Sequence, residues 1–362
     1  MIPNEINYFA TANSCYGRKN LLETNISHLK KLYIITDGYE FIRHIILKHI
    51  RNVCIENNIC IENIRSSYSP DEYDGIILTE KGIGFVNITL ITPENSLSKA
   101  PFEIKYLHCI SENEHCPIND ELIFKYKKQF LLYYNKAYKK LAEAKTIHDD
   151  WENVYITNFN KRRADEYTRQ FINNNIFRNS ISKPNDGYCR HRFLGCASHN
   201  GSVDFVNNIT ENIEKRYFIK GRPGTGKSTF MRKINEAAIS SGFDTEVYHC
   251  GFDSDSYDMV IIRALDICIF DSTSPHEYFP DRKNDSILDF YRNFVKPGTD
   301  ERFKSTLSDI ENRYKNNIAS AISYMKEAEK IAVKAKEHVL NNVAENAYED
   351  CIRKVTDVIN DL

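Results

Sequence analysis

A stretch of nine residues, Gly221-Arg222-Pro223-Gly224-Thr225-Gly226-Lys227-Ser228-Thr229, places the tightest demand on how this chain folds. It has the form G-x-x-x-x-G-K-[ST]. An apolar run, Tyr217-Phe218-Ile219, precedes it, and Phe230-Met231-Arg232-Lys233-Ile234 opens a helical pattern after it. A buried strand, a glycine-rich turn and a helix N-terminus in succession make a cradle for phosphate groups. The glycines let backbone N–H groups of Gly221, Arg222, Gly224, Thr225, Gly226, Lys227, Ser228 and Thr229 turn inward. Lys227 brings a point charge to the outer phosphates, and Ser228 offers a hydroxyl to Mg²⁺. The expected ligand is a nucleoside triphosphate.

The sequence also matches itself at an offset of 184 positions. Phe9 meets Phe193, Ser14 meets Ser198, Gly17 meets Gly201, Tyr33 meets Tyr217, and Glu62 meets Glu246. Asp71, Tyr73 and Asp74 meet Asp255, Tyr257 and Asp258. Farther on, Glu143, Ala144 and Ile147 meet Glu327, Ala328 and Ile331. One register held without a gap implies a two-unit duplication, residues 1–184 and 185–362, rather than a short-period solenoid.

The same offset exposes what the first unit lacks. Opposite the loop stand Asp37 and Ile42 for its framing glycines, Arg43 for Lys227 and His44 for Ser228. Asp37 and Glu40 would put negative charge where phosphates belong. The first unit is expected to keep the fold and to have lost triphosphate binding. The competing reading is a changed ligand held at the same place.

Within the second unit, Asn200-Gly201 between apolar runs predicts a hairpin. A helix from the loop to about Ser240 ends at Ser241-Gly242, with Gly242 in the C′ role. Thr245–Cys250 and Ile267–Phe270 read as buried strands, and Met259–Ile262 is apolar. Strands alternating with helices predict an α/β fold: a mostly parallel sheet flanked by helices, with ligand at the strands' carboxyl ends. Asp271, directly after four apolar residues, takes the Walker B role and reaches the Mg²⁺ shell from beside the loop. In the first unit Asn87 replaces it.

Loops at that edge supply further candidates. Asp255, in the run Asp253–Asp258, is a candidate proton acceptor, and His276 a candidate to orient or protonate a group. Turn chemistry is the plainer account of the aspartates. Arg222, Arg282 and Arg292 are within conceivable reach of the phosphates. The set Cys189, His191, Cys196 and His199 has no zinc-module spacing and is expected to be structural.

Each unit ends in a helical arm. From Asp300 to Leu362 there is no Gly or Pro, and Ile310, Tyr314, Ile318, Ala321, Met325 and Ala328 form an apolar stripe. The first arm, about Asn119 to Asn179, carries Phe124, Leu131, Tyr134, Tyr138 and Leu141 in the same way. The cores are expected over about 6–115 and 190–298, the arms over about 119–180 and 300–362. The arms should pack on each other or on a partner. His148, Asp149 and Glu152 share one face of the first arm, read as a plain polar face.

Composition narrows the function classes. A net charge of −2 gives no basic footprint for nucleic acid. No apolar run approaches a membrane span, and the N-terminal residues lack an export-signal pattern. Ten cysteines without C-x-x-C pairs suit free thiols in a reducing cytoplasm.

The loop, the strand Tyr248-His249-Cys250, the turn Asp255-Ser256-Tyr257-Asp258, the run Phe270–Glu277, the hairpins and the arm motif Ile147-His148-Asp149 together resemble a known group. It is a bacterial group of tandem-duplicated P-loop ATP-binding proteins of unassigned chemistry, related to nucleotide-kinase-like P-loop NTPases. The resemblance spans the chain, with its specific motifs mainly in the second half. It implies ATP and Mg²⁺, with Lys227, Ser228 and Asp271 in their usual roles. Members commonly keep a sound loop in both copies; this chain departs in the first. The expected function is Mg²⁺-dependent ATP hydrolysis or phosphoryl transfer to a small molecule at the second unit. The alternative is a non-catalytic, ATP-gated interaction protein that acts through its arms.

Overall fold

The computed structural model describes residues 4–92, 97, 101–109, 121–179, 185–274, 277–342 and 345–362. Strands of the first half are β1 (Glu5–Phe9), β2 (Thr11–Ser14), β3 (Gly17–Asn20), β4 (Lys31–Thr36), β5 (Ile61–Arg65), β6 (Tyr73–Leu78), β7 (Ile83–Asn87) and β8 (Glu103–His108). Those of the second are β9 (Cys189–Phe193), β10 (Gly195–Ser198), β11 (Gly201–Asp204), β12 (Lys215–Lys220), β13 (Thr245–His249), β14 (Tyr257–Ile262), β15 (Ile267–Asp271) and β16 (Ser286–Asp289). Twelve of them form one sheet in the order β16-β12-β15-β14-β13-β9-β1-β5-β6-β7-β4-β8. Read outward from the β9–β1 junction, the two halves run through corresponding strands. The junction pairs Phe193 with Phe9, the residues that the 184-residue offset matches.

In each half five strands run one way and one, β6 or β14, runs against them. The apolar segment Met259–Ile262 thus becomes an antiparallel strand inside a mostly parallel sheet. Its tight hairpin to β15, turned at Arg263–Asp266 with Asp266 at φ +56°, leaves no room for a crossover helix. The small hairpins are present in both halves, but their turn residues are Cys15-Tyr16 and His199-Asn200. Gly17 and Gly201 open the returning strands at φ +88° and +90°. A serine hydroxyl closes each turn, Ser14 onto the Gly17 carbonyl and Ser198 onto the Gly201 carbonyl.

Helices of the first half are α1 (Glu23–Ile26), α2 (Glu40–Glu56), α3 (Glu121–Ile156) and α4 (Lys161–Asn175). The second half adds α5 (Val206–Ile209), α6 (Lys227–Ser240), α7 (Phe290–Phe294), α8 (Thr299–Arg302), α9 (Lys304–Leu340) and α10 (Glu349–Asn360). One face of the sheet buries a core continuous across the junction, including Tyr8, Ile34, Phe218 and Tyr248, under α1 and α5. The other face carries one cluster per half. At the junction Arg192 is fully buried. It donates to Glu62 at 2.7 Å, lies 3.4 Å from Glu246, and stacks 4.0 Å above the Tyr8 ring. Two buried carboxylates, one from each half, therefore share one guanidinium.

The arms pack on each other, as their stripes require. Tyr134, Ala137 and Leu141 of α3 meet Ala321, Met325 and Ala328 of α9. Beyond that contact the packing crosses the boundary at residue 184. Phe171 and Ile172 of α4 join the core under α6, with Phe171 5.2 Å from Phe230. Cys351, Val355 and Ile359 of α10 join the core under α2. Each arm thus closes the half to which it does not belong in sequence. Among the described residues no helix is long and apolar enough to cross a membrane.

Candidate functional site

β12 delivers the chain to Gly221, and α6 begins at Lys227. Between them Gly224 and Gly226 take φ +73° and +79°, the left-handed region where a side chain is strained. Gly226 is the N-cap of α6 and supplies no capping side chain, so the helix presents uncapped N–H groups at the loop. The Thr225 hydroxyl closes the loop by donating to the Arg222 carbonyl at 2.7 Å. Lys227 folds back over it and donates from Nζ to the same carbonyl at 2.8 Å.

β15 lies beside β12 in parallel register, Ile219 opposite Asp271. This places the Asp271 carboxylate 3.4 Å from Lys227 Nζ. Thr273 fixes that carboxylate, donating from its N–H at 3.1 Å and its hydroxyl at 2.6 Å. Ser228 Oγ accepts from the Tyr257 N–H at 2.9 Å, which ties the loop helix to the start of β14. Lysine, hydroxyl and carboxylate therefore converge at one sheet edge.

Other candidates fall differently. Asp255 is exposed and belongs to a closed turn: its N–H donates to Asp253, and its carbonyl accepts from Arg232. Turn chemistry accounts for it. His276 lies outside the described residues. Arg282 is at the wrong edge, donating to the carbonyls of Thr210, Glu211 and Ile213, before the start of β12. Arg222 pairs with Asp300 at 3.0 Å, and Asp300 also accepts from the Tyr155 hydroxyl at 2.9 Å. The Arg292 N–H caps α7 through Asp289. The cysteines and histidines of 189–199 have separate partners: Asn235 for Cys189, Ser67 for Cys196, His249 for His191 and Glu329 for His199.

The end of the first arm lies against the loop of the second half, with His148 and Glu152 half-buried there and Asp149 exposed. A Cβ on Gly224 would stand 2.6 Å from the Glu152 carbonyl oxygen, and one on Gly226 would stand 2.9 Å from the Phe159 ring. Burial lowers the His148 pKa to about 4, with Lys145 and Lys227 adding to the effect. Burial raises the Glu152 pKa, against the pull of Lys145 and Lys227. Lys145 pairs with Asp149 and, at 3.4 Å, with Asp253. At the offset positions the second arm has Ala332, Val333 and Lys336. The first arm carries His and Glu at these positions; the second does not.

The first half arranges the corresponding positions around arginine. Arg43 is buried. It donates to Asn87 at 2.8 Å and to the Asp37 and Gly38 carbonyls at 2.9 Å each. The pattern repeats that of Lys227 with Asp271 and Arg222, with a neutral amide in place of the carboxylate.

Comparison with protein families, with curated proteins and with solved structures finds no match to this chain.

Proposed function

We propose that the chain is a tandem pair of P-loop NTPase-like units, with a Mg²⁺-dependent ATP site in the second only. The observation that carries this reading is the contact of Lys227 with Asp271 across a loop whose glycines hold positive φ at an uncapped helix start. The residues fit the ligand. N–H groups from Gly224 to Ser228 and the Lys227 ammonium would hold phosphates. Ser228 and Asp271 would hold Mg²⁺, which neutralises charge on phosphate oxygens when bound. On binding, Lys227 exchanges the Arg222 carbonyl for a phosphate oxygen. Glu152, half-buried with a raised pKa, would take a proton from an attacking hydroxyl or water. His148, held neutral at physiological pH, orients without adding charge. In the first half the Arg43 guanidinium occupies the loop's carbonyls, consistent with a lost triphosphate site.

Titration calorimetry with Mg·ATP should give a stoichiometry near one, abolished by Lys227→Ala. A stoichiometry near two, or binding that survives the substitution, overturns the reading. The arm contacts favour a second reading, in which ATP sets the position of the arms. Gly224 lies against the last turns of α3 and Gly226 against Phe159 just after it, and Arg222, Asp300 and Tyr155 join the loop to both arms. Absence of turnover with every acceptor tried would favour it.

A further inference from the structure

We infer that the first half holds a divalent transition-metal ion between Glu40, His44 and Asp74. Glu40 and His44 are one turn apart at the start of α2, and Asp74 comes from β6. Their ligand atoms all lie within 4.8 Å of one another. His44 occupies the position of Ser228, so the site stands beside the place where the second half would bring a metal.

The polar atoms at this spot make only contacts too long for good hydrogen bonds, His44 Nε2 to Asp74 Oδ1 at 3.5 Å and Arg18 to Asp74 Oδ2 at 3.7 Å. Asp74 is 1% exposed, and neither of its carboxylate oxygens accepts a hydrogen bond; His44 Nε2 makes none either. Buried groups of this kind are normally satisfied, and an ion is one standard reason when they are not. The spacing suits one. His44 Nε2 is 3.5 Å from Asp74 Oδ1, too long for a good hydrogen bond. Two ligand atoms each ~2.1 Å from a tetrahedral Zn²⁺ stand about 3.4 Å apart.

The surrounding charges allow a cation. Arg18 approaches Asp74 through the other oxygen, Oδ2, at 3.7 Å, and leaves Oδ1 facing His44. It would orient the ligand from behind, as metal-bound carboxylates usually are. Arg43 is turned away onto Asn87 and the loop carbonyls. One imidazole with two carboxylates favours Zn²⁺ or a neighbouring first-row ion over Mg²⁺. Glu40 is half-buried and opens to solvent, so three protein ligands leave a position for water or an exchangeable ligand.

The test is Zn²⁺ titration of the full chain, stripped with a chelator, without nucleotide, against a chromophoric indicator. One Zn²⁺ per chain is expected, bound at least tenfold more weakly by His44→Ala and measurably more weakly by Glu40→Gln. Lys227→Ala and Glu152→Gln should bind as the parent does. Co²⁺ in place of Zn²⁺ should give a visible absorption band that His44→Ala abolishes. Because His44 is buried, Glu40→Gln at the helix start serves as the variant that keeps the fold, with circular dichroism as the check. No stoichiometric Zn²⁺ binding, affinity unchanged in both first-half variants, or loss in Glu152→Gln would each overturn the proposal.

Discussion

If the first arm rests on the loop of the second half, Gly226 is constrained twice, and the two constraints can be separated. Gly226 sits at φ +79°, so Gly226→Ala costs roughly 1–2 kcal/mol in backbone strain alone. The new methyl would also stand 2.9 Å from the Phe159 ring, which must shift, adding about 1 kcal/mol. Gly201 provides the control. It has φ +90° with nothing within 4 Å of a Cβ, so Gly201→Ala reports strain without a neighbour. Urea unfolding followed by circular dichroism should show Gly226→Ala costing about 1 kcal/mol more than Gly201→Ala. In a Phe159→Ala background that excess should disappear, giving a coupling of about 1 kcal/mol between two residues distant in sequence. Equal costs for the two glycines, or additive effects of Gly226→Ala and Phe159→Ala, would show that the arm does not rest on the loop.

Asp271→Asn should keep Mg·ATP binding within about tenfold, roughly 1.4 kcal/mol, while turnover falls much further, because charge neutralisation matters most in the transition state. Hydrolysis or transfer by the variant at the parental rate would remove Asp271 from the site. The junction predicts an acid-labile fold. Burial alone would raise the Glu246 carboxyl, but Arg263 and Arg192 outweigh it and hold its pKa at about 2. A depressed folded pKa contributes stability that is full above the unfolded value and is lost as pH falls toward the folded one. Roughly 3 kcal/mol should therefore disappear between about pH 5 and pH 2. Urea midpoints that do not fall across that range would contradict it.

The local elements of the second half were legible because their causes are local. Gly224 and Gly226 at positive φ, the apolar runs of β12 and β15, and Gly242 at φ +79° after α6 are each set by a few adjacent residues. The 184-residue offset matches Phe9 with Phe193, and the two residues pair at the junction. The apolar stripes of α3 and α9 likewise announced buried faces. Asp271 lies where a strand end beside the loop strand had to put it.

The tertiary structure alone decided who meets whom. Periodicity states which face of α3 is buried, not that its last turns reach the other half's loop. It gave no sign that β14 runs antiparallel, since an apolar strand looks alike in either direction. Asp255 and Asp253 are equivalent as loop aspartates. Only the fold exposes one and turns the other toward Lys145. Glu40, His44 and Asp74 come together because α2 packs against β6, a contact between segments about thirty residues apart. Residue types and spacings fix short-range backbone conformation. Long-range partners depend on how whole faces compete for burial, and no single segment carries that information.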